Sequence, residues 1–285
     1  MFQKYLDPKN DLAFKKIFGM EKHKHIPINF LNAVFHLTGK DKITDLEFIN
    51  IVQPPEIQAR KESIVDVMVK DKKGSKYIIE MQVTEVGGFE KRAQYYAAKT
   101  YCSNFNKGFH YWNLKKVIFL AITSYIQFPK KKNYKSNHGI LDKETYENDL
   151  KDFSFTFVEL PKFTKTVPEN MTLEEKWYYF LKTADESRDV NKALAEVPEI
   201  KEAYEIIESV NWTEEELLTY EQIGMAIADH TSGLMAATEK GIKKGRQEAL
   251  RAIAAQLLEE NFPFEKIASL TKLSIHELKD LKIKR

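Results

Sequence analysis

The sequence predicts an α/β domain followed by an all-helical region, and three stretches carry that expectation. "ESIVDVMVKDKKGSKYIIEMQVT", residues 62–84, has the pattern of two strands about a tight turn. "KKVIFLAIT" is a nearly continuous apolar run, the pattern of a strand covered on both faces. Beyond Pro168 the strand patterns stop and helical periodicity takes over. The expected division is therefore an α/β domain over 1–165 and a helical C-terminal region over 166–285.

Taken in order, "NDLAFKKIFG" spaces Leu12, Phe14, Ile17 and Phe18 as a helix does, with Gly19 as its stop. A second helix opens near Pro27, carries Phe30, Leu31, Val34 and Leu37, and ends by Gly39. "DLEFINIV" reads as a short strand before Pro54-Pro55, and the hairpin follows. Gly87-Gly88 breaks the chain ahead of a helix, "FEKRAQYYAAKTYCSNF", of about four turns. The apolar strand "KKVIFLAIT" comes next, then a polar, basic stretch from Pro129 to about Asp152 that reads as a loop. "FSFTFVEL" alternates strictly and reads as a strand with one buried face. Four helical stretches follow, and after Pro263 comes a helix-turn-helix-like segment. Its expected small core is Ile267, Leu270, Leu273, Ile275, Leu278 and Leu281, and Ser274 with Glu277 forms a capping box.

Composition narrows the function classes. The 285 residues, 43% of them hydrophobic, suffice for a sizeable core. No apolar run is long enough to span a bilayer, and the first residues lack a signal-peptide core. A single cysteine, Cys102, excludes an intrachain disulfide, so a reducing, cytoplasmic setting is expected. The net charge of +2 neither points to nucleic acid nor excludes it, because local basic faces decide that. Lys115-Lys116, Lys130-Lys131-Lys132 and Lys243-Lys244 read as solvated surface. The absence of G-x-G-x-x-G, Walker-type loops and G-x-S-x-G argues against nucleotide-driven and serine-nucleophile chemistry. His23-Lys24-His25, without cysteines or a third ligand, reads as the surface of a helix start.

The hairpin raises one chemical question. If Lys72-Lys73-Gly74 is a three-residue loop with Gly74 at the position of positive φ, Asp71 pairs with Ser75. Counting back sets Asp66 opposite Glu80, with Gln82 on the same face. Opposed Cβ atoms lie roughly 4.5–5.5 Å apart, where like charges repel. Relief comes from a shared proton, a basic partner or a divalent cation between the acids. A Mg²⁺ ion, which takes a few carboxylates and keeps several waters, fits the third arrangement. The alternative is a solvent-facing strand side whose acids pair with nearby lysines.

With its flanks included, the chain resembles the PD-(D/E)XK nuclease superfamily and, within it, the Rpn family of recombination-promoting nucleases, also described as putative transposases. "NDLAFKKIFG", "KESIVDVMVKDKKGSKYIIEMQ", "FEKRAQYYAAKTY" and "KGFHYWNLKKVIFLAIT" carry the resemblance in that order, over roughly residues 5 to 160. The resemblance implies a mixed central sheet flanked by helices, with Asp66 and Glu80 as metal ligands, Gln82 completing the catalytic set, and Asp11 as a third acid. Many members of the superfamily carry lysine where this chain has Gln82; the narrower family commonly has glutamine. The implied activity is Mg²⁺-dependent hydrolysis of DNA phosphodiesters, with Mn²⁺ or Ca²⁺ as alternative ions. Arg92 and Lys99, seven residues apart on one helix face, are the expected DNA contacts. The implied biology is DNA recombination, mobile elements or defence. The helical region is expected to touch DNA or a second subunit of a homodimer. The competing reading is a catalytically inactive DNA-binding or protein-interaction member of the same fold.

Overall fold

The computed structural model describes residues 3–49, 65–103 and 110–283. The Pro54-Pro55 break and the first residues of the hairpin's leading strand lie outside them. The chain divides into two compact units, Met1–Met225 and Ala226–Arg285.

The first unit is built on a six-stranded mixed sheet of order β1-β2-β3-β4-β6-β5. Its strands are β1 Leu46–Phe48, β2 Val67–Asp71, β3 Lys76–Gln82, β4 Val117–Thr123, β5 Lys135–Gly139 and β6 Phe153–Glu159. β1, β2 and β3 are antiparallel, β3, β4 and β6 run parallel, and β5 returns antiparallel along β6. β5 falls inside the stretch expected to be a loop. "KSNHG" has no apolar alternation to betray it, because an edge strand can be held by backbone pairing alone.

The turn between β2 and β3 is made as its residues dictate. Gly74 takes φ +86°, which costs a glycine nothing. The Asp71 carboxylate accepts from the N–H groups of Lys73 and Ser75, both at 2.9 Å, and the Asp71 N–H donates to the Ser75 carbonyl at 3.0 Å. The resulting register pairs Val67 with Ile79 and Val69 with Tyr77, as counted from the sequence. A one-residue slip would turn every side chain of the strand to the opposite face.

Helices cover both faces of the sheet. α1 (Asp11–Phe18), α2 (His25–Val34), α4 (Leu173–Thr183), α5 (Lys192–Ala195) and α6 (Pro198–Ile207) share the larger core with Val67, Val69, Tyr77, Ile79 and Met81. Trp177 is fully buried there, its ring 5.7 Å from that of Phe18 and 5.6 Å from that of Phe30. Its Nε1 donates to Asn29 Oδ1 at 2.8 Å, which satisfies its one polar atom. The boundary expected near residue 165 therefore falls inside the first unit, since α4 to α6 complete the core that α1 and the sheet begin.

α3 (Phe89–Cys102) covers the other face, packing Phe89, Ala93 and Ala97 onto Ile78, Phe119, Ala121 and Phe157. Alanines at i and i+4 let the helix backbone come close to the sheet. The buried Lys76 ties down the far end, donating to the Thr100 carbonyl at 3.0 Å and Ser103 Oγ at 3.1 Å. That is where a cation complements a helix C-terminus. Cys102, the last residue of α3, is exposed. The side of β6 that carries Ser154, Thr156 and Val158 is covered as well, contrary to its one-faced alternation: Thr156 and Val158 are buried, and Val158 joins the larger core. Glu159 is fully buried and satisfied by Lys162 Nζ at 2.7 Å and the Phe128 N–H at 2.9 Å.

α7 (Glu214–Glu259) begins in the first unit and ends in the second. The second unit adds α8 (Phe264–Thr271) and α9 (Ile275–Ile283), with a small core of Ala254, Ile267, Leu273 and Leu278. Leu281 packs against it, whereas Leu270 and Ile275, also expected inside, are exposed. The capping box forms: the Ser274 N–H donates to Glu277 Oε2 at 2.9 Å and the Glu277 N–H to Ser274 Oγ at 3.2 Å. Among the described residues no helix is long and apolar enough to cross a membrane.

Because Trp177 belongs to the same core as the sheet, Trp177→Ala should cost about 3–5 kcal/mol. Chemical denaturation of the first unit should show the loss. Loss of the α4–α6 helices alone, with the sheet's own transition unmoved, would contradict the shared core.

Candidate active site

The hairpin register decides where the acids meet. Asp66 stands one residue before β2, and one step back from the Val67–Ile79 pair lies Glu80. Asp66 Oδ2 accepts the N–H of Met81 at 2.7 Å, which draws its carboxylate across to β3. Glu80 is 4% exposed although it carries a carboxylate. Its Oε1 accepts from Gln82 Nε2 at 2.9 Å and from Arg92 Nη2 at 3.4 Å. Gln82 in turn accepts Arg92 Nη2 on its Oε1 at 2.5 Å and donates to the Met81 carbonyl at 3.1 Å. α3 delivers Arg92 from its first turn, just after Gly88 at φ +81°. The guanidinium lies over the Phe89 ring at 4.9 Å.

Burial sets the electrostatics. Desolvation, with the charge of Glu80 beside it, pushes Asp66 well above the usual carboxylate range; the Met81 N–H and Lys15 oppose this. Desolvation also raises Glu80 to about 7, against the pull of Arg92, the Asp66 N–H and Lys15. The pair thus prefers to keep a proton at neutral pH until a further positive charge arrives.

The other expected residues stand at different distances from this pair. Asp11, in the first turn of α1, acts electrostatically on both acids but is held by Lys15 at 2.8 Å. Among the described residues no group of three or more His, Cys, Asp or Glu side chains is gathered closely enough to hold a metal. Lys99 sits on α3 seven residues beyond Arg92, about 10 Å along the axis, and is half-buried. Arg92, expected to meet a phosphate, spends its Nη2 on Gln82 and Glu80. Lys15 was missed by the sequence reading; its only signal was its place four residues after Asp11.

Buried polar atoms without a partner mark the spot independently. Among the described residues these are Glu80 Oε2, Arg92 Nε, Ser124 Oγ and Tyr125 Oη. Ser124 and Tyr125 directly follow β4, and the Ser124 N–H donates to the Gln82 carbonyl at 2.9 Å, extending the β3–β4 pairing into the site. Two facing carboxylates, one with a buried oxygen left open, are a donor set suited to a small hard cation that keeps its own waters.

Two hollows elsewhere do not reach these acids. One, of about 540 Å³, is lined by Lys16, His23 and Glu202, and the other, of about 580 Å³, by Asn32, His36 and Glu174. His23 Nδ1, which lines the first, and His25 Nε2, which lines the second, both engage the Glu202 carboxylate, at 2.7 and 2.6 Å, so the histidine pair fastens the start of α2 to α6.

A family model described as PD-(D/E)XK nuclease family transposase matches residues 8–237, which include Asp66, Glu80, Gln82 and all of α3. No curated protein and no solved structure matches.

The raised carboxyls have a measurable cost. Glu80 binds its proton more tightly folded than unfolded, so folding is penalised increasingly as pH climbs from 4.5 to about 7, and the full penalty persists above. Glu80→Gln should therefore raise stability by roughly 1–3 kcal/mol at pH 8 and change it little at pH 4.5. Urea melts at the two pH values test this; an equal change at both would mean Glu80 is not held protonated by burial.

Proposed function

The chain belongs to the PD-(D/E)XK nuclease family of transposases, and from that premise we propose that it is a divalent-metal-dependent DNA endonuclease that hydrolyses phosphodiester bonds. One observation carries the reading most: two carboxylates brought face to face by the hairpin register, with one Glu80 oxygen held by an arginine and a glutamine and the other buried and unpartnered. Protein interiors avoid such an arrangement unless a ligand relieves it.

Asp66 and Glu80 would hold the cation, Mg²⁺ by the hardness of the donors, with Mn²⁺ or Ca²⁺ as substitutes. When bound, the ion supplies Lewis acidity toward a phosphoryl oxygen and a lowered pKa for its water. Gln82 orients the attacking water through its amide, which is already tethered to Glu80 and Arg92. Because glutamine carries no charge, Arg92 is the cation left beside the reacting phosphate. Lys99 extends the basic face of α3 toward flanking phosphates, and Asp11 with Lys15 borders the acids from α1. The cleavage serves DNA recombination, mobile elements or defence, and the second unit, with α8 and α9 turned about Lys272, targets the nuclease or joins subunits.

Purified protein incubated with supercoiled plasmid and Mg²⁺ should nick or cut it. Asp66→Ala and Glu80→Ala should each lower the rate by roughly 10²-fold or more. Intact plasmid with wild type across several salts and divalent ions would defeat the reading. Mutants that cut at the wild-type rate would displace the site while leaving the activity.

A further inference from the structure

The end of the sheet away from the carboxylates carries charge and aromatic surface that the cleavage reading does not use. Glu80 lies near the C-terminal end of β3, whereas Lys76 begins that strand and pairs with Val117 at the start of β4. Three separate stretches of chain bring exposed lysines to this beginning. They are Lys40 before β1, Lys72 and Lys73 in the β2–β3 turn, and Lys115 and Lys116 ahead of β4.

Contacts hold the three stretches together. Lys73 Nζ donates to the Lys40 carbonyl at 2.7 Å and to Asp41 Oδ1 at 2.9 Å, which fastens the Gly39–Asp41 turn to the hairpin. A Cβ placed on Gly74 would lie 3.1 Å from the Lys115 side chain, and the Lys76 N–H donates to the Lys116 carbonyl at 3.0 Å. Lys73 is therefore engaged with Asp41, while Lys40, Lys72, Lys115 and Lys116 make no salt bridge among the described residues. Like charges gathered in this way repel one another, and a polyanion relieves them.

Aromatic surface adjoins the lysines. Tyr111 and Trp112 are 77% and 78% exposed. They stand in a single turn that the Leu114 N–H closes on the Tyr111 carbonyl at 3.1 Å, one residue before Lys115. The His110 ring stacks on Trp112, with centroids 4.2 Å apart and planes within 8°, and the indole keeps an open face. A large exposed ring beside lysines suits a nucleobase, because every base has a π-face and lysines take the phosphates. Bases paired within a duplex are stacked on their neighbours and do not offer that face, so the fitting partner is unpaired.

We propose that this end of the sheet binds single-stranded DNA, with Lys40, Lys72, Lys115 and Lys116 on its phosphates and a base stacked on Trp112. The proposal rests on the nuclease reading only for the choice of DNA. Glu80 stands four residues along β3 from Lys76, about 13 Å at the rise of a strand, so a strand held here leaves the carboxylates open.

The test uses the full-length chain and a fluorescent dT oligonucleotide in EDTA, where no cleavage intrudes. Of the three tryptophans, Trp177 and Trp212 are buried, so a soluble quencher or a stacked base reports on Trp112. Unlabelled dT should quench that emission in the wild type, and Trp112→Ala should weaken binding, read by anisotropy, about tenfold. Changing Lys40, Lys72, Lys115 and Lys116 together to Gln should lower the slope of log K against log salt by about 3. All these side chains are exposed, so melting temperatures should not move. No dT binding by wild type, or unchanged binding in both variants, would overturn the inference. A blunt duplex that binds as tightly as dT with Trp112 unquenched would also overturn it, because the face would then hold phosphates without a base. Plasmid cleavage decides the nuclease reading separately: dT binding without cutting leaves this inference standing, and cutting without dT binding leaves only the nuclease.

Discussion

A turn of three residues governs the chemistry of this protein. Asp71, Gly74 and Ser75 close the β2–β3 hairpin through the Asp71 carboxylate and a positive φ at Gly74. That closure fixes the register up to the far end, where Asp66 meets β3. Because side chains alternate strictly along a strand, the turn has two outcomes and no intermediate: the acids share a face or they are separated by the sheet. The hydrophobic pattern enforces the same choice, since Val67, Val69, Tyr77, Ile79 and Met81 must all enter the larger core together. Local turn chemistry and long-range burial thus agree, the consistency that lets a sequence specify one structure.

Around that axis the molecule separates stability from reactivity. On one face of the sheet the aromatic cluster about Phe14, Phe18, Phe30 and Trp177 is sealed and its polar atoms are satisfied. At the C-terminal ends of β3 and β4 the reverse holds: desolvated acids, an arginine shared between two acceptors, and hydroxyls without partners. Such a patch lowers the stability of the fold and persists because the surrounding core over-determines it. Open ends of parallel strands are also where α/β sheets commonly place ligand sites, and here β3, β4 and β6 end together at Gln82, Thr123 and Glu159.

Much of this was legible beforehand, for identifiable reasons. The hairpin announced its register through Gly74, and the β4 run announced burial through seven consecutive residues without a charge. Asp66, Glu80 and Gln82 could be placed on one side by counting alone. β5 was missed because its pairing with β6 uses backbone groups that any residue supplies. The division near residue 165 misled because a change from strand to helical pattern marks a change of element type, not the edge of a core. Ser124 and Tyr125 were invisible for a further reason. They reach the site through the parallel pairing of β3 with β4 across the α3 crossover, and no local periodicity records which strand ends lie side by side. The uncommitted Nε of Arg92 likewise follows from where α3 docks, a property of packing against Ile78 and Ala121.

The exposed thiol of Cys102 has a practical meaning of its own. It is the only cysteine in the chain and ends the helix that presents Arg92. A maleimide dye or nitroxide spin label will therefore attach at one defined position without engineering, and disulfide cross-linking between copies can proceed only through that sulfur. The wild-type protein carries its own reporter on the element that covers the carboxylates.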